Sequence, residues 1–164
     1  MKVIKPPSEL FFDSNEYTIF LAGSIEMGNA TEWQKEVEDE FEKFDTKERI
    51  VILNPRRDDW DSSWEQSAKN KQFSKQVNWE LSGLECCDFA IVYFDPNTKS
   101  PISLMELGLF KDKRHIIVCC PEGFWRKGNV DIVCNRYGIK VMPSLKETIE
   151  EVKKIITEEF YRYI

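Results

Sequence analysis

Six consecutive apolar residues, Phe89-Ala90-Ile91-Val92-Tyr93-Phe94, stand between Asp88 and the breaker Asp95-Pro96-Asn97. A strand with one wet face alternates apolar and polar side chains. A run with no polar member suits a strand covered on both faces, as in a parallel sheet between two helix layers. Pro96 has no N–H for a ladder and ends the strand. Helical spacing from about Ser67 to Glu85 predicts a helix before it. Ser100-Pro101 starts another after it, carrying Glu106 in Met105-Glu106-Leu107-Gly108.

The same alternation runs through the chain. Tyr17-Thr18-Ile19-Phe20-Leu21-Ala22, Ile50-Val51-Ile52-Leu53, His115-Ile116-Ile117-Val118-Cys119-Cys120 and Ile139-Lys140-Val141-Met142 read as further strands. Thr31 with Gln34 forms a capping-box pattern, followed by Trp33, Val37 and Phe41 at helical spacing. Val130 to Tyr137 reads as a short helix with Gly138 as its stop signal. Pro143-Ser144 opens a last helix with Leu145, Ile149, Val152 and Ile156 on one face. Strands alternating with helices predict an α/β fold, a parallel sheet of about five strands with right-handed crossovers. Met1 to Asn15, with Pro6-Pro7, reads as a tail or a cover strand, and Phe160 to Ile164 as an aromatic tail. At 164 residues without a linker or repeat, residues 1–164 are expected to form a single domain with a real core.

Several function classes lose support. The net charge is −6 and no Lys/Arg cluster spans a helix face, which argues against nucleic acid as a partner. Five Cys in two adjacent pairs plus one, with no C-x-x-C, read as reduced core thiols of a cytoplasmic protein. No signal peptide and no run of about 18 apolar residues is present, so no membrane partner is expected. His115 is the lone histidine, H-E-x-x-H is absent, and no metal site is expected. G-x-S-x-G and the P-loop pattern are also absent. Gly23-Ser24-Ile25-Glu26-Met27-Gly28 lacks the full dinucleotide pattern, and no cofactor is expected. Its small residues still let a sugar or phosphate approach the backbone.

Carboxylates remain. In open α/β sheets, ligands bind beyond the carboxyl ends of strands. Asp95 on the loop and Glu106 early in the next helix fall there, and Glu80 of the preceding helix can join them. A carboxylate can attack an anomeric carbon and hold the sugar as an ester while a second group assists the leaving base. Glu106 sits among Leu104, Met105, Leu107 and Gly108 rather than in a charged run. The bland alternative is a solvated helix residue. The loop Asn54-Pro55-Arg56-Arg57-Asp58-Asp59-Trp60-Asp61-Ser62-Ser63-Trp64 is long for a compact domain. Trp60 and Trp64 suit a binding wall, or else seal the sheet edge. Arg56 and Arg57 suit a phosphate, or are surface charges.

This ordered set resembles the nucleoside 2-deoxyribosyltransferases and their relatives, from Ile19 to about Val141. Ile19-Phe20-Leu21-Ala22-Gly23-Ser24 is similar to the family's first strand and loop. Asn54-Pro55-Arg56-Arg57 with Trp60 and Trp64 is similar to the loop after the second strand in one branch. Trp79-Glu80-Leu81 resembles the helix whose acid meets the nucleobase, and Met105-Glu106-Leu107-Gly108 the nucleophile motif. Cys120-Pro121-Glu122-Gly123-Phe124-Trp125 with Asn129 resembles a late loop that reaches a neighbouring subunit's sugar. The resemblance implies a flavodoxin-like or Rossmann-like three-layer sandwich without a metal, and homo-oligomers. It implies Glu106 as nucleophile, ionised at neutral pH, with Glu80 or Asp95 serving the base. Gly23, Ser24, Phe20, Arg56, Trp60, Trp64 and Asn129 would bind a small nucleoside or nucleotide. Phe20 stands where many members have Tyr, and Ser100-Pro101-Ile102-Ser103 where many have a Gly-rich run. Transfer to another base and hydrolysis by water therefore both stay open. So do a nucleosidase for another ribosylated metabolite and a non-catalytic nucleotide sensor.

Overall fold

The computed structural model describes residues 1–25, 32–57, 59–113 and 115–162. Six strands and five helices follow in the order β1 (Lys2–Ile4), β2 (Glu16–Gly23), α1 (Trp33–Glu42), β3 (Arg49–Leu53), α2 (Lys71–Cys86), β4 (Phe89–Tyr93), α3 (Pro101–Leu109), β5 (His115–Cys119), α4 (Lys127–Tyr137), β6 (Lys140–Met142) and α5 (Leu145–Arg162). All ladders are parallel and the sheet order is β1-β3-β2-β4-β5-β6. This is a three-layer α/β fold. Without β1, the order is the flavodoxin one, in which the chain winds outward both ways from a central pair.

The apolar runs divide their side chains between two cores. Ala90, Val92 and Phe94 join Phe20, Ala22, Val51, Leu53, Ile116 and Val118 on one face, under Leu84, Leu107, Val130 and Cys134 of α2, α3 and α4. Phe89, Ile91 and Tyr93 join Ile19, Leu21, Ile50, Ile52 and Ile117 on the other, under α1 and α5. Each central strand thus buries both faces, which is why its run carries no polar alternation.

The sixth strand is a difference from the expectation of about five. Lys2–Ile4 pairs with Val51–Leu53, and Asn54 N donates to Ile4 O. The start of the segment read as a tail or a cover strand is therefore an edge strand. Asn70, not a residue near Ser67, caps α2 by accepting from Phe73 N at 2.9 Å. The helix expected from Val130 begins three residues earlier, at Lys127, and Gly138 ends it at φ 68°. The expected Thr31 cap, Glu26 to Gly28 of the small-residue loop, Asp58, Tyr163 and Ile164 lie outside the described residues. Among the described residues no helix is long and apolar enough to cross a membrane.

Candidate active site

The chain reverses its winding direction between β2 and β4, and a ligand crevice opens at such a switch point. The two strands end side by side, with Gly23 paired to Tyr93. A Cβ on Gly23 would lie 2.3 Å from Tyr93 O, so only glycine fits there. The next residue, Ser24, is a buried junction. Its Oγ accepts from Asp95 N at 2.9 Å, pairs with Thr98 Oγ1 at 2.8 Å, bonds Ser100 Oγ and reaches Tyr93 O. Trp33 Nε1 donates to Ser24 O at 2.9 Å. Buried hydroxyls thus fasten the loop after β2 to the loop that leads into α3. They also hold Ser100 at φ 47°, a left-handed conformation unusual for a residue with a Cβ. Ser100 is the N-cap of α3, and Pro101 follows in its first turn.

From this fixed start α3 turns Ser103, Glu106 and Leu107 inward. Glu106 is 8% exposed. Among the described residues no hydrogen bond to its carboxyl group contributes to its titration. Burial first, and then the charge of Glu80, push its pKa up to about 8. Burial also raises Glu80, but a bond donated by Gln76 opposes the rise. The carboxyl with a donor ionises first and the one without keeps its proton. In the ligand-free protein burial therefore favours the protonated form of Glu106.

Gln76 was not anticipated from sequence. It lies one turn before Glu80 and is 4% exposed. Its Nε2 donates to Glu80 Oε1 at 2.7 Å and to Pro55 O at 2.9 Å. The i, i+4 spacing from Gln76 to Glu80 was the available signal.

Asp95 lies at the carboxyl end of β4 as expected, 1% exposed. Its Oδ1 accepts from Asn97 N at 2.8 Å and from Asn97 Nδ2 at 3.1 Å, so part of its carboxylate shapes its own turn. Phe20 is in the core, with its ring against Trp79 and directly over Gly83 of α2. Arg56 pairs through Nη2 with Glu32 at 3.2 Å, while its Nη1 is buried without a partner among the described residues. Arg57 is occupied by a two-pronged bond to Asp59 and lies over the Trp64 ring at 5.0 Å. Trp60 meets Trp64 edge-on at 5.1 Å, so the loop after β3 is held by its own side chains. Asn129 is exposed in the first turn of α4. The nearby Trp125 Nε1 donates to Lys99 O at 3.0 Å, which sets the loop after β5 beside the start of α3. His115 stacks on Phe89 and bonds Glu159 through Nε2 at 3.1 Å. Among the described residues no group of three or more His, Cys, Asp or Glu side chains is suited to a metal ion. All five cysteines are free, four of them buried.

A family model described as nucleoside 2-deoxyribosyltransferase like matches residues 16–124. The match runs from β2 to the loop after β5 and takes in Glu80, Asp95 and Glu106, while Asn129 lies beyond it. The fold is similar to that of a crystal structure described as a conserved protein from Enterococcus faecalis V583. The TM-score is 0.59 and the identity 14%, over 85% of this chain and 98% of that one. At that identity the likeness concerns the fold alone. No curated protein matches the chain.

Proposed function

The chain belongs to the nucleoside 2-deoxyribosyltransferase-like family, and from that premise we propose that it cleaves the N-glycosidic bond of a deoxyribonucleoside or its monophosphate through a Glu106–deoxyribosyl ester. The observation that carries this reading is a pair of carboxyls, the buried Glu106 and the half-buried Glu80, whose charge raises the Glu106 pKa. Mutual repulsion and burial leave one proton on the pair at neutral pH. With the proton on Glu80, Glu106 is a poorly solvated carboxylate without a hydrogen-bond donor among the described residues, and so a strong nucleophile.

In the first step a Glu106 oxygen bonds the anomeric carbon. The bond from that carbon to the base nitrogen breaks, and its electron pair leaves with the base. The proton on Glu80 goes to the departing base. A deoxy sugar suits the route, because without the electron-withdrawing 2-hydroxyl, positive charge at the anomeric carbon costs less. Glu80 is preferred to Asp95 for the base because Asp95 Oδ1 is taken by Asn97. In the second step a nitrogen of another base, or a water oxygen, bonds the anomeric carbon. The ester bond to Glu106 breaks with its electron pair returning to the carboxylate, and the proton of the incoming group goes to Glu80, giving a new nucleoside or free deoxyribose.

The remaining assignments follow the loops. Gly23 and Ser24 line the sugar, and the buried Nη1 of Arg56, without a partner among the described residues, suits a phosphate at the far end. Trp60 and Trp64 form the wall, with Phe20 backing Trp79 from below. The outer side of α3 supports a homo-oligomer. Its exposed residues are Pro101, Ile102, Met105, Gly108 and Leu109, none of them charged. An exposed apolar helix side is normally covered, and a second copy would bring its Asn129 loop near this face. Incubating the protein with one deoxynucleoside and a different free base, then separating the products, tests the reading. A new nucleoside marks transfer and free deoxyribose marks hydrolysis. Unchanged reactants would refute the proposal.

A further inference from the structure

The Gln76 amide has no freedom to flip. Pro55 O accepts in every protonation state, and Glu80 Oε1 accepts whenever that carboxyl is ionised, so the NH2 end must face both. Oε1 therefore points away from them, and it is buried without any hydrogen-bond partner among the described residues. A buried amide oxygen left unpaired costs stability, and native chains seldom leave one without a reason. A second such atom, Arg56 Nη1, belongs to the residue after Pro55. The unused acceptor thus lies beside the Glu80 carboxyl, and the unused donor belongs to the loop after β3 that Gln76 holds.

We propose that Gln76 determines specificity, its free Oε1 and an oxygen of the neighbouring Glu80 carboxyl together accepting from the exocyclic amino group of a nucleobase. The inference rests on the reading of Glu80 as the base-facing carboxyl. An amino group brings two N–H donors to two acceptors. A carbonyl in the same place sets lone pair against lone pair and leaves Oε1 unpaired. A site built to hydrogen-bond one group discriminates strongly against an analogue that cannot return the bond. The protein therefore prefers adenine to hypoxanthine and cytosine to uracil, each pair differing at the exocyclic position and its adjoining ring proton.

Calorimetric binding of these four free bases to the wild-type protein, to Gln76→Met and to Gln76→Glu tests this. The wild type should bind each amino base at least tenfold more tightly than its oxo partner. Gln76→Met lacks the acceptor and should bring each ratio within threefold of unity. Gln76→Glu keeps an acceptor and should retain the preference. Equal or reversed affinities in the wild type would overturn the proposal whether or not either variant folds, and so would an undiminished ratio in folded Gln76→Met. Turnover through Glu106 with no preference among bases would sink this inference alone. A tenfold preference in a protein that turns over no nucleoside would uphold it and sink the glycosidic reading.

Discussion

Replacing Glu106 by Gln should make the protein more stable, and increasingly so as the pH rises. Burial and the Glu80 charge raise the Glu106 pKa from 4.5 to about 8. At 1.36 kcal/mol per pH unit, that rise corresponds to about 5 kcal/mol as an upper bound. The sign follows from proton linkage. Between pH 4.5 and about 8 the folded protein holds the Glu106 proton and the unfolded chain does not. The stabilisation is fully present below 4.5 and is lost as the pH rises through about 8. Glu106→Gln removes this loss and, among the described residues, breaks no hydrogen bond to the carboxyl group. Its amide still needs partners in a buried place, so a net gain on the order of 2–4 kcal/mol at pH 8.5 is expected. For a chain of this size that raises Tm by about 5–10 °C. Thermal and urea unfolding of both proteins at half-unit steps from pH 5 to 9 would measure it. The two curves should lie close together near pH 5, separate progressively up to about pH 8 and run parallel above it. A pH-independent offset, or a variant less stable than the wild type at pH 8.5, would refute the reasoning.

If one proton shared by Glu80 and Glu106 is needed, kcat/KM should be bell-shaped, with its upper limb near pH 8, where the second carboxyl ionises. A rate still climbing at pH 9 would exclude the shared proton. Ser24→Ala strips Asp95 N, Thr98 and Ser100 of a buried partner and should cost about 1–3 kcal/mol in urea unfolding. It should also lower turnover, because α3 loses the anchor of its first residue; unchanged stability would show that the hydroxyl cluster carries nothing. Met105→Glu places a charge on the apolar side of α3 and should shift the mass in light scattering towards a monomer. The same assembled mass in wild type and variant would remove α3 from the interface.

Much of the fold was legible because the central strands bury both faces. The run Phe89 to Phe94 admits few other structures, and it divides between the two cores as an all-apolar strand must. β1 was less legible, since three residues carry no periodicity and the strand is defined by its partner β3. Glu106 was legible for a related reason, a carboxyl in an apolar helix close behind a strand end. Its protonation was not, because that depends on which carboxyl finds a donor, and the donor is Gln76. A glutamine within a helix reads as a solvated residue until the helix is docked against Pro55. The left-handed Ser100 was equally hidden, since its hydroxyl is bonded to that of Ser24, 76 residues away in sequence, as well as to nearby Thr98. Arg57, grouped with Arg56 for a phosphate, is tied instead to Asp59 and Trp64.

The most direct test of the account is the intact mass of the protein quenched in acid during reaction with a deoxynucleoside. Wild type should gain the mass of one deoxyribosyl group, less the proton it replaces, and peptide mapping should locate it on Glu106. Glu106→Gln should bind the substrate, gain no mass and lose turnover by several orders of magnitude. An adduct on another residue, or near-normal turnover in Glu106→Gln, would contradict it.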